Sequence, residues 1–200
     1  REPMVIRQII ARDLGSVDRC VTCHVGMDEF SNPSMKTPFK EHPFAGHPDV
    51  EGLAKNHPFQ KYGCTVCHAG QGLATTKEDA HGKVPHWEKP MLEGKLIEAS
   101  CAKCHQNIDT LKGAENVALG KALFQKQGCK GCHSIRGDGG VVSVDLGNIA
   151  DKPLERIALY NFSLAKKDGK PLPREDWNLQ NWILAHLTQT PAGFIPNDPH

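Results

Sequence analysis

Four times in 200 residues a Cys-x-x-Cys pair is followed at once by a histidine: Cys20-Val21-Thr22-Cys23-His24, Cys64-Thr65-Val66-Cys67-His68, Cys101-Ala102-Lys103-Cys104-His105 and Cys129-Lys130-Gly131-Cys132-His133. These motifs use all eight cysteines. Two sulfurs one helical turn apart can both form thioethers to vinyl groups on one edge of a porphyrin, and the adjacent imidazole then falls under the iron. The pattern therefore reads as four covalently bound haem c groups. Cys20, Cys23, Cys64, Cys67, Cys101, Cys104, Cys129 and Cys132 attach them, and His24, His68, His105 and His133 are the proximal iron ligands. A chain that must fold around four porphyrins is shaped by their bulk before anything else.

Structural zinc is the main competing reading, with the cysteine pairs combining into four-cysteine sites. Such a site has no use for a histidine directly after each second cysteine. With 11 His in 200 residues, four independent placements of that kind have a chance on the order of 1 in 100,000. A disulfide framework would suit an even cysteine count in an exported protein, but it leaves the same four histidines unexplained.

Composition argues that the chain does not build its own core. Hydrophobic residues are 38% and aromatics 6%, with 19 Gly and 14 Pro, a low apolar share for a globular domain. Four porphyrins supply apolar mass that loops and short helices can wrap, so the apo chain is expected to be largely unfolded. The formal charge of +1 falls to about −3 once four ferric haems and their propionates are counted. That is no nucleic-acid footprint. No apolar run approaches the ~18 residues of a membrane span, and a chain starting at Arg1 suggests that a signal or N-terminal anchor has been removed.

Two parts are distinguishable. Residues 1–112 carry three motifs separated by Pro- and Gly-rich stretches and read as a loop-rich three-haem module. Short helices are expected there, with candidates at Val5 to Leu14 and Leu92 to His105. Residues 113–200 read as a single-haem helical domain. Ala118 to Phe124 has helical spacing, and so does Arg174 to Thr188, which Pro191 stops. The expected fold class is mainly α with extensive coil, its short helices wrapped around four haems.

The second part resembles class I cytochrome c. The residues that carry this are Gly120-x-x-x-Phe124-x-x-x-Gly128-Cys129-x-x-Cys132-His133, Gly137-x-Gly139-Gly140, Asp145-Leu146, Asn181-Trp182-Ile183 and Thr190-Pro191. The resemblance implies a methionine as the sixth ligand, yet Met4, Met27, Met35 and Met91 all precede Cys129. A methionine beyond residue 200, His186, His200 or a group from elsewhere is left for that position. Residues 16 to 105 resemble the multihaem portion of membrane-associated bacterial electron-transfer cytochromes, through Asp18-Arg19-Cys20, His57-Pro58-Phe59-x-Lys61-x-Gly63-Cys64, Gly70-Gln71-Gly72 and His86-Trp87-x-x-Pro90-Met91. This likeness implies work beside a quinol-oxidising complex or as a periplasmic relay.

Electron transfer favours a second strong ligand on each iron, whereas catalysis favours an open position. Seven histidines lie outside the motifs. His42, His47 and His57 precede proline, which pushes them out of the helical region onto stiff extended segments, and His81 and His86 lie in loop sequence. The expected second ligands of the first three haems are three of His42, His57, His81 and His86, with His47 ranked lower because it sits between two other candidates. Met35 and Met91 are rivals. Lys121, Lys126 and Lys130 could dock an acidic partner or simply face solvent.

The expected function is electron transfer between redox proteins, with a membrane quinol-oxidising complex or a cytochrome as partner, and no chemical transformation of a substrate. The expected location is the periplasm or the outer face of the cytoplasmic membrane. A multihaem reductase with one open iron and a subunit of a haem-stacked filament are the alternatives.

Overall fold

The computed structural model describes residues 5–27, 40–48, 52–84, 87, 89–147, 149, 166–167 and 169–188. The chain divides into two compact units, Arg1–Leu123 and Phe124–His200. It is helix-rich with few strands. In the first unit a hairpin of β1 (Ile9–Ala11) and β2 (Ser16–Asp18) leads into α1 (Cys20–Cys23), followed by α2 (Leu53–Asn56), α3 (Phe59–Tyr62), α4 (Thr65–His68), α5 (Lys77–Ala80) and a 3-10 helix, Gly94–Lys103. Helix α6 (Glu115–Lys126) spans the point where the units divide. The second unit holds α7 (Cys129–Cys132), the two-stranded pairs β3 (Ser134–Ile135) with β4 (Asp138–Gly139) and β5 (Lys166–Lys167) with β6 (Lys170–Pro171), and α8 (Leu179–Thr188).

The first helix expected from the sequence is not one. Residues 9–11 pair antiparallel with residues 16–18, in the register Ile9↔Asp18, Ile10↔Val17 and Ala11↔Ser16. Ile9, Ile10 and Val17 are β-branched and favour extended backbone. Gly15 takes the left-handed conformation (φ 62°) that turns the chain after a single 3-10 turn, Arg12–Leu14. The expected helix at 92–105 forms, but as the tighter 3-10 type over Gly94–Lys103. The late helix is split: a 3-10 turn at Arg174–Asp176 precedes α8, and the Asn178 side-chain oxygen accepts the Asn181 N–H at 2.9 Å, the usual work of an N-capping asparagine.

Ile9, Ala11, Val21, Ile108, Ala114, Leu172 and Ala185 are the buried apolar residues among those described. Large side chains such as Val141 (93% exposed) and Val142 (81%) remain on the surface. Polar ties join separate segments of the first unit. The strongest is Asp18, fully buried opposite Ile9. Its Oδ2 accepts the Cys64 N–H at 2.6 Å and the Thr65 N–H at 3.2 Å, and its Oδ1 accepts the Thr65 hydroxyl at 2.6 Å. A carboxylate from β2 thus satisfies donors at the start of α4, 46 residues further along the chain. Arg19 reinforces it, donating its N–H to the Gly72 carbonyl at 2.8 Å and its guanidinium to the Leu73 carbonyl at 2.6 Å. Gly63 (φ 68°) and Gly72 let backbone close on the carboxylate, because a Cβ at either would run into an Asp18 oxygen.

Asp18→Ala leaves three donors without their acceptor and is expected to destabilise the haem-loaded protein by about 3 kcal/mol. Guanidinium denaturation followed by circular dichroism checks this. A loss well under about 1 kcal/mol would show that water replaces the carboxylate at no cost.

Candidate haem-binding sites

All four motifs adopt the same turn. The histidine N–H donates to the carbonyl of the first cysteine in each: His24 to Cys20 at 2.8 Å, His68 to Cys64 at 3.0 Å, His105 to Cys101 at 2.9 Å and His133 to Cys129 at 2.9 Å. That bond to the fourth residue back is the helical closure that sets both sulfurs and the imidazole within one turn. Cys23, Cys104 and Cys132 are exposed and the other five cysteines are half-buried, all as free thiols. Among the described residues no group of three or more His, Cys, Asp or Glu side chains could share one metal ion. A four-cysteine zinc site therefore has no convergent donor set here, whereas a porphyrin asks for two sulfurs and one imidazole from each motif.

Three motifs adjoin. Cys20 adjoins Cys64, and this neighbour first, then burial and the nearby Asp18, push the Cys64 thiol up. Burial, then the neighbouring Cys101 and Cys104, push Cys67 up, against the lowering pull of Lys103. The Ser100 hydroxyl donates to the Cys67 carbonyl at 2.7 Å and Lys103 Nζ to the Val66 carbonyl at 3.2 Å. The second motif thus lies between the first and the third.

The histidine rings gather beside these turns. The His24 ring centroid is 5.0 Å from that of His42 and 6.2 Å from that of His81. His68 is 6.1 Å from His47, and His105 is 6.0 Å from His57. His42 is exposed, and the other rings are partly buried. Burial pushes the His24 and His68 pKa down, helped by the neighbouring imidazoles, and so favours the neutral ring whose lone pair a metal needs. The Nδ1 atoms of His24 and His57 are buried without a hydrogen-bond partner, an uncommon state for a buried polar atom that marks both rings for a role other than packing. The residues present fit the group that the motifs imply.

Of the histidines singled out from sequence, His42, His57 and His81 lie within ring contact of a motif histidine, and so does the lower-ranked His47. His86, His200, Met4 and Met35 fall outside the described residues, as does the side chain of His186. The Met91 N–H donates to the His81 carbonyl at 3.0 Å, so this residue holds the His81 loop through its backbone. Lys121 is paired with Asp109 at 2.6 Å and Lys130 with Asp138 at 2.7 Å.

The fourth motif has its own support. His133 Nδ1 lies 2.9 Å from the Val144 carbonyl; with the proton on Nδ1 it donates there and leaves Nε2 for a metal. Asp145 holds that loop in shape. Its carboxylate accepts the Ser134 hydroxyl at 2.6 Å and the N–H groups of Gly147 at 2.6 Å, Gly137 at 2.8 Å and Arg136 at 3.2 Å. The Ser134 hydroxyl first, then the amides, keep its carboxyl well below the usual carboxylate range.

Residues 117–184 match the family model described as Cytochrome c. The match includes the fourth motif and supports a c-type cytochrome with covalently bound haem c and a role in electron transfer. No curated protein and no solved structure matches the chain.

Asp145 titrates lower in the folded protein than in the unfolded chain. Its contribution is therefore present above the ordinary carboxylate value near 4 and is lost as pH falls from there toward the depressed folded value. Thermal melts over the acid range should show a steeper fall in stability for the parent protein than for Asp145→Asn. Parallel curves would remove Asp145 from the acid response.

Proposed function

We propose that this chain is a tetrahaem c-type cytochrome that carries electrons between redox proteins. It has a loop-rich three-haem module (1–112) and a single-haem domain (113–200). The observation that carries the reading is the same helical closure in all four Cys-x-x-Cys-His turns, with the first three tied together through Asp18 to Cys64 and Ser100 to Cys67. Each covalently bound haem supplies an iron that gains and loses one electron without making or breaking bonds.

The chain's own residues do the rest. Eight cysteines fix the groups in place, four motif histidines hold one face of each iron, and Asp18 and Ser100 clamp the attachment turns together. The His133 ring is oriented by the Val144 carbonyl. Partly buried imidazoles keep ligand geometry fixed between oxidation states, which lowers the reorganisation that accompanies each electron. Among the described residues no helix is long and apolar enough to cross a membrane. Covalent haem attachment fits an exported protein at the periplasmic or outer face of the cytoplasmic membrane, working beside a quinol-oxidising complex or a cytochrome acceptor.

A pyridine haemochrome assay combined with intact mass should return four covalent haems per chain. The Cys64→Ala, Cys67→Ala double variant should return three. A parent stoichiometry of one, at the fourth motif, would reduce the protein to a single-haem cytochrome with an accessory N-terminal region.

A further inference from the structure

We infer that His81, His47 and His57 are the second axial ligands opposite His24, His68 and His105 respectively, an assignment that rests on the haem reading above. An iron bonded at about 2 Å to one nitrogen of each of two imidazoles on opposite faces of a porphyrin holds their ring centroids about 6.3 Å apart, since a ring atom lies about 1.2 Å from its own centroid. The three pairs stand at 6.2, 6.1 and 6.0 Å. Each pair joins one motif histidine to one histidine outside the motifs, and none is used twice. Ring contacts that need no metal are shorter in the same region: His47 to Phe59 at 5.5 Å, His57 to Tyr62 at 5.1 Å and His24 to His42 at 5.0 Å. At 5.0 Å two imidazoles are too close to stand on opposite faces of one porphyrin. His42 is thus a neighbour of the first site and His81 its ligand.

The backbone fixes each of the three. His47 Nδ1 lies 2.7 Å from the Pro48 carbonyl, and donation there leaves Nε2 as the ligating atom. His57 closes α2 with φ −130° and ψ 67°, outside the helical region as the following proline demands. His81 closes α5, its N–H donating to the Lys77 carbonyl at 3.0 Å and its carbonyl accepting from Met91. Helix α3 braces two of them at once, with Phe59 beside His47 and Tyr62 beside His57.

The test uses the haem-loaded protein and single alanine variants, with covalent haem counted in each. His47→Ala, His57→Ala and His81→Ala should each add one carbon-monoxide-binding ferrous haem per chain over the parent, and one high-spin ferric signal that added imidazole reverses. His42→Ala should leave both readings at the parent level. Should an alanine variant fail to accumulate, its methionine counterpart serves: a low-spin haem is retained and one midpoint potential rises, as thioether ligation requires. An unchanged carbon monoxide count in His47→Ala, or a gain in His42→Ala, would overturn the pairing while leaving the tetrahaem reading intact. Covalent haem confined to the fourth motif of the parent would overturn both.

Discussion

The buried carboxylate of Asp18 is the interaction on which the first unit turns. It lies two residues before Cys20 and accepts the Cys64 amide, so one side chain fixes the start of the second attachment turn against the approach to the first. A fully buried carboxylate accepting several N–H and O–H donors forms strong, directional bonds. It sets where two segments lie to within a fraction of an ångström, which apolar contact alone does not. The hairpin exists to deliver it: the register that puts Asp18 opposite Ile9 puts both on the buried face.

The same device recurs wherever an attachment turn needs support. Glu98, in the 3-10 segment leading into the third motif, accepts the Asn116 N–H at 2.6 Å at the start of α6. Asp145 gathers a hydroxyl and three amides behind the fourth motif. Each tie runs from an acidic side chain to backbone amides of another segment or turn. Each such tie fixes one loop against another by directed hydrogen bonds rather than by apolar burial.

What the sequence made legible follows from covalent chemistry. The four motifs could be read without a fold because thioether spacing and the adjacent imidazole are local requirements, met within one turn. Which histidines outside the motifs come close to a motif ring is a tertiary property. His47 ranked low because His42 and His57 flank it in sequence, yet folding sets its ring 6.1 Å from His68 and its Nδ1 on the Pro48 carbonyl. Nothing local distinguishes it from His42, which ends on the surface. The hairpin in place of the expected helix has a different cause: apolar residues at 5, 6, 9, 10 and 14 fit a helical stripe, and Gly15, which breaks it, comes just past Leu14, where that stripe ends. Asn178 could have signalled the split of the late helix, since asparagine competes for backbone donors at a helix start.

On the tetrahaem reading, the tie from Asp18 that brings the second motif up to the first bears on the order of maturation. Thiols of neighbouring motifs could mispair in an oxidising compartment, and a thioether on either sulfur would abolish that. A chain that compacted first would meet this trap before its cofactors arrived. A chain held open until ligation would never meet it.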